Sequence, residues 1–162
     1  RIDITVSPIA FRLVGHPFEI GDTPTVNAQF NIRYCVASAL LRKGSSLKYF
    51  EEAQIRDPGI SPILQKISVT SDPALEGKLE VHLMADMKVT TKEGRLYRKT
   101  VEQPRGSPAN PLSREEAHEC FQDYINSSNK PIPKKNVDRL ISAIRKMEEM
   151  KDICKLLPLL VV

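Results

Sequence analysis

Residues 79–101 constrain the fold more than any other stretch of the chain. Leu79, Val81, Leu83, Ala85, Met87 and Val89 alternate with Glu80, His82, Met84, Asp86, Lys88 and Thr90. A period of two sends these sets to opposite faces of a strand and makes one face apolar. Lys92, Glu93 and Gly94 then supply a tight turn, with glycine free to take a positive φ. Arg95 to Val101 reads as the return strand. The prediction is an antiparallel hairpin with one dry face and one wet face.

The flanking segments read as helices around that hairpin. Ile2, Ile4 and Val6 alternate with polar residues and predict a strand ending at Ser7 and Pro8. Residues 67–70 predict another. Between them, residues 26–43 read as one long helix, capped by Thr25 or Asn27 and stopped at Gly44. Short helices follow in LKYFEEAQIRD and ISPILQK. Ser113 and Glu116 have capping-box spacing and open a helix whose buried face is Ala117, Cys120, Phe121, Tyr124 and Ile125. Lys130-Pro131-Ile132-Pro133 is a stiff connector. A last helix over residues 136–152 turns Val137, Leu140, Ile141, Ile144 and Met147 inward. Helices, strands and helices in that order give an α+β class, with antiparallel strands packed against several helices. The expected division is residues 1–130 as an α+β domain and 131–162 as a connector and C-terminal helix.

Bulk properties exclude several classes. The net charge of +4 comes from 24 basic and 20 acidic residues scattered along the chain, which is weak ground for a nucleic-acid partner. No apolar run approaches the roughly 18 residues of a membrane span. Cys35, Cys120 and Cys154 form no CxxC, and His16, His82 and His118 are far apart. An odd, dispersed cysteine set argues against a disulfide framework or a zinc site, and for a reducing, cytoplasmic setting. Nucleotide-loop, nucleophile-elbow and metalloprotease spacings are missing. No metal and no cofactor is expected.

One local pattern stands out. NAQFNIRYCVASALL, residues 27–41, is apolar almost all round, yet Asn27, Asn31, Tyr34 and Ser38 recur at helical spacing and would form one polar stripe. The stripe has two readings. Its members pair with neighbouring loops, as buried polar groups must, or they face a polar cavity shared with another domain. In the second reading Tyr34 is the catalytic candidate, since a phenol can donate a proton or bind an anion. Asn27, Asn31, Ser38 and His16 are then candidates for binding substrate. His16 joins them because it sits in the Gly- and Pro-rich loop just before the stripe, and loops often carry functional groups.

Three segments taken together resemble the second domain of the MmgE/PrpD family: NAQFNIRYCVASALLRKG, RDPGISPILQKISVTSDP and VTTKEGRLYRKTVEQPRGSPANPLSREEAHECF. The family includes enzymes that dehydrate 2-methylcitrate, decarboxylate cis-aconitate or epimerise iminodisuccinate. The resemblance runs from the GHPFEI loop to the terminal helix. It implies a small α+β lid that closes over a larger helical domain carrying most of the chemistry. Segments bearing lysine, histidine and aspartate would lie outside this chain, so the chain alone is expected to be inactive. A tyrosine in the equivalent helix is a site residue in the decarboxylating member, and Tyr34 matches it. The resemblance further implies a small di- or tricarboxylate substrate, proton transfer at carbon without a cofactor, and a homodimer in the full-length form. A 2-methylcitrate dehydratase-like activity is the favoured expectation. A non-catalytic ligand-binding or dimerisation module is the alternative.

Overall fold

The computed structural model describes residues 1–76 and 84–160. These form two compact units, Arg1–Arg114 and Glu115–Val162. The break therefore falls near the start of the sixth helix, and the expected boundary at residues 130 and 131 lies inside the second unit.

The first unit is built on a sheet of four strands, β1 (Ile2–Val6), β2 (Ile67–Ser71), β3 (Ala85–Thr90) and β4 (Leu96–Val101), in the order β2-β1-β3-β4. β1 is central. It runs parallel to β2, with Ile4 opposite Val69, and antiparallel to β3, with Ile4 opposite Met87. β3 and β4 form the predicted hairpin, and Gly94 takes φ +79° in its turn. The part of the alternating run at residues 79–83, His82 included, lies outside the described residues.

The sheet is mixed, which corrects the antiparallel expectation. Alternation reports which face of a strand is buried, and it carries no information about strand direction. The roughly sixty residues between β1 and β2 are ample for a parallel crossover, which needs about a dozen or more.

That crossover holds α1 (Pro8–Val14), α2 (Pro24–Gln29), α3 (Ile32–Arg42), α4 (Glu52–Ile55) and α5 (Ser61–Leu64). Ser7 caps α1 by accepting from the Ala10 amide, and Pro8 sits at its first turn, where no amide hydrogen is needed. The core forms between the helices and one face of the sheet. Ile2, Ile4, Val6, Ile67 and Val69 meet Ala28, Tyr34, Ala37, Ile55 and Ile60, all buried.

The single helix expected over residues 26–43 is two helices. Phe30 closes α2, and Asn31 is extended at φ −137° and ψ 112°. The Asn31 carboxamide oxygen accepts from the Tyr34 amide at 3.0 Å and caps α3. A capping side chain competes with helix continuation for the same amide, and here the cap wins. One extended residue also breaks the 100° register on which the stripe depended.

The second unit contains α6 (Arg114–Asn126), α7 (Lys134–Ile144) and α8 (Leu157–Leu160). Ile125, Val137, Leu140 and Leu159 are buried there. Ala117, Tyr124, Ile144 and Met147 are exposed, against expectation. α7 ends at Ile144 and gives way to a short 3-10 turn, Met147–Glu149, so the inward stripe stops at the helix end and no longer holds for Met147.

Candidate functional site

His16, Asn27 and Asn31 line one open cleft, together with Leu13, Pro17, Glu19, Val26, Phe30. Three of the five candidate residues thus converge. Ser38 and Tyr34 do not line it.

The cleft is held by the two asparagines. Asn27 donates from Nδ2 to the Ile20 carbonyl at 2.9 Å and accepts from the Thr23 hydroxyl at 3.2 Å. Asn31 donates from Nδ2 to the His16 carbonyl at 2.9 Å while its oxygen caps α3. Both side chains pin the loop of residues 15–23 to the helices. Each amide nitrogen keeps a second N–H, so each can still donate once. His16 is exposed, and its Nε2 lies 2.8 Å from the Arg12 carbonyl oxygen. A carbonyl only accepts, so Nε2 carries the hydrogen and Nδ1 of the neutral ring is left with a lone pair. The lining contains one carboxylate, Glu19, and neither lysine nor arginine.

Tyr34 is buried in the core with none of its area exposed. Its ring sits between Phe18 and Phe50, with centroids 5.0 and 5.7 Å away. Its hydroxyl donates to the Tyr49 carbonyl. Burial pushes the phenol above its ordinary pKa, with the positive charge of Arg42 working against that rise. The hydroxyl therefore stays protonated across the physiological range and donates a hydrogen bond, and burial makes it a weaker acid than a free phenol. Ser38 is buried and accepts from Arg42 Nη1 at 3.0 Å. Within this chain every member of the polar stripe has a local hydrogen-bond partner.

Sequence reasoning missed a second cluster, at the C-terminal end of α3. Arg42 Nε donates to Gln54 Oε1 at 3.1 Å, and Nη2 donates to the Gln54 carbonyl at 2.8 Å. Asp57 Oδ2 stands 3.4 Å from the same nitrogen, and the guanidinium lies 5.3 Å from the centre of the Tyr49 ring. Arg42 follows Ser38 by four residues, so extending the stripe one more turn would have found it. Cys35 is half-buried, and burial raises its thiol pKa, which makes it inert. Among the described residues no group of three or more His, Cys, Asp and Glu is placed to hold a metal ion.

A mixed four-stranded sheet packed under a crossover of short helices, with a loop-pinned cleft and a tyrosine buried in the core, defines an α+β domain of a particular kind. The chain belongs to the MmgE/PrpD family: the family's C-terminal domain matches residues 1–147. It is similar to human cis-aconitate decarboxylase, 25% identical over 149 residues, covering 92% of this chain and 30% of that protein. The mouse cis-aconitate decarboxylase is 23% identical over 133 residues, covering 82% of this chain and 26% of the relative. The chain thus spans less than a third of the length of these relatives.

Proposed function

We propose that this chain is the C-terminal, lid-like part of a cofactor-independent lyase or isomerase acting on small di- or tricarboxylates. The observation that carries this reading is the family match over residues 1–147, supported by relatives whose names specify a tricarboxylate substrate.

The chemistry follows from what such a substrate needs. A proton leaves carbon beside a carboxylate, or carbon dioxide leaves and a proton is delivered to carbon. Either route requires a positioned acid or base and groups that neutralise the carboxylates. Tyr34 serves as the acid in this reading: its phenol is protonated at neutral pH, and because burial raises its pKa, release of that proton depends on groups supplied by the rest of the protein. His16, Asn27, Asn31 and Ser38 are the candidates for holding substrate. The His16 cleft is lined by neither lysine nor arginine, so in this reading the counter-charges for a polycarboxylate come largely from other parts of the protein. Leu13 and Phe30, 66% and 64% exposed on the rim, are surfaces that a helical domain of the same protein would cover. A homodimer in the cytoplasm belongs to the same proposal.

For the particular reaction, the sequence reading favours dehydration of 2-methylcitrate, while the names of the relatives favour decarboxylation of cis-aconitate. One observation favours a non-catalytic module instead: the Tyr34 hydroxyl is buried and already bonded to Tyr49.

The test is NMR in deuterated water. The full-length protein and residues 1–162 are incubated with 2-methylcitrate, cis-aconitate and related acids. Deuterium at carbon or product formation in the full-length protein is the expected result, and the responding acid names the reaction. A folded full-length protein that changes none of them overturns the enzymatic reading in favour of the binding module.

A further inference from the structure

Tyr34, Ser38 and Arg42 follow one another at four-residue steps on α3 and share a face. The acceptor of the Tyr34 hydroxyl is the Tyr49 carbonyl, which lies in a single 3-10 turn, Leu47–Phe50. A turn of four residues has little hydrogen bonding of its own. The Tyr49 amide reaches Ser46 at 3.1 Å, and the Glu51 amide reaches Lys48 at 3.3 Å. Its position is set from outside: the Thr25 hydroxyl donates to the Phe50 carbonyl at 2.9 Å on one side, and Arg42 lies against Tyr49 on the other. The guanidinium lies over the Tyr49 ring, holds Gln54 by both its side chain and its carbonyl, and returns to α3 through Ser38. The Arg42 side chain is only 9% exposed. Four of its five N–H donors are satisfied by protein acceptors, if the long contact to Asp57 is counted. An arginine so engaged is poorly placed to seize a substrate carboxylate. It is well placed to fix the distance between α3 and the 47–57 segment.

We propose that Arg42 is a positioning residue for Tyr34, fixing the Tyr49 carbonyl and through it the direction of the phenol hydroxyl. This rests on the reading of Tyr34 as the acid. Lysine at position 42 keeps the charge but cannot reproduce a planar fork with several simultaneous acceptors. A loosened turn lets the hydroxyl wander, and small misplacements of a reacting group are costly.

The experiment is a double-mutant cycle in the full-length enzyme, with Arg42→Lys, Tyr34→Phe and the pair, measured on the acid that responds in the NMR assay. Arg42→Lys is expected to lower kcat between about 10- and 100-fold with KM unchanged. In the Tyr34→Phe background it is expected to cost nothing further, because the group it positions is gone. Equal losses in both backgrounds, a loss confined to KM, or wild-type kcat in Arg42→Lys would each overturn the role of Arg42. Wild-type turnover in Tyr34→Phe would overturn the reading of Tyr34 itself, and this proposal with it. Should Arg42→Lys fail to fold, Gln54→Met removes the Nε acceptor at nearly constant volume and is expected to show the same coupling to Tyr34→Phe. Additive losses there would sink the proposal equally.

Discussion

At the scale of single residues, polar side chains do the work of joining elements. Asn31 is the clearest case, since one side chain caps α3 and ties down the His16 loop. Asn31→Ala removes both bonds and is expected to cost about 2 kcal/mol by urea unfolding. Asn31→Ser keeps a capping oxygen and loses the loop bond without adding a charge, so about half that cost is expected. A loss of equal size in both variants would mean the cap contributes little. Asp86 joins strands in the same way. Its Oδ1 accepts from Arg98 Nε and from the Thr100 hydroxyl, each at 2.8 Å, across the β3–β4 pair. Those bonds, Arg98 first, hold its carboxyl below the usual carboxylate range. A folded-state pKa below the unfolded one gives stabilisation that is fully present above the unfolded value near 4 and lost as pH falls through the folded value. Asp86→Asn should therefore be less stable than wild type by about 1 kcal/mol at neutral pH, since Arg98 is largely exposed. The gap should close in acid, and a gap that stays constant from neutral pH to about pH 2 would remove Asp86 from the acid response.

At the scale of elements, β1 matters most. It is hydrogen-bonded to β2 on one edge and to β3 on the other, and Ile2, Ile4 and Val6 are all buried in the core. Ile4 is 2% exposed and sits between Val69 and Met87 in the register. Ile4→Ala is expected to destabilise the chain by about 3 kcal/mol, as buried large-to-small changes do. β4 is the opposite case, an edge strand exposed along its whole length. Arg95, Arg98 and Lys99 in and beside it place charges that discourage pairing with another edge. Tyr97→Ala there is expected to change stability by no more than about 0.5 kcal/mol. A similar cost at positions 4 and 97, read from the same denaturant midpoints, would contradict this ranking of the strands.

At the scale of the whole molecule, the apolar groups left at the surface are the informative ones. Leu13, Val26 and Phe30 rim the cleft, and a domain that covered them would gain about 1.5 to 3 kcal/mol for each large side chain fully buried. The pair Leu13→Ser and Phe30→Ser should therefore leave residues 1–162 within about 0.5 kcal/mol of wild type. In the full-length protein the same pair should cost at least about 2 kcal/mol. Equal small effects in both would show that nothing covers this rim.

The sequence by itself determined the α+β class, the hairpin from its period of two, the positions of β1 and β2, and the family. Each of these is written in local spacing or in short motifs, and local spacing survives whatever the rest of the chain does. It did not determine that β1 and β2 run parallel, because strand direction is set by the path of the crossover and not by alternation. It did not reveal that the apolar segment at residues 27–41 breaks at Asn31, because the capping bond that ends one helix and starts the next is invisible to periodicity. The fate of the polar stripe was decided by tertiary structure alone. The sequence placed Asn27, Asn31, Tyr34 and Ser38 on one line, whereas the fold turned the asparagines toward the His16 loop, Tyr34 into the core against Tyr49, and Ser38 onto Arg42. A buried polar group takes the partner that packing brings within about 3 Å, and only the folded chain decides which partner that is.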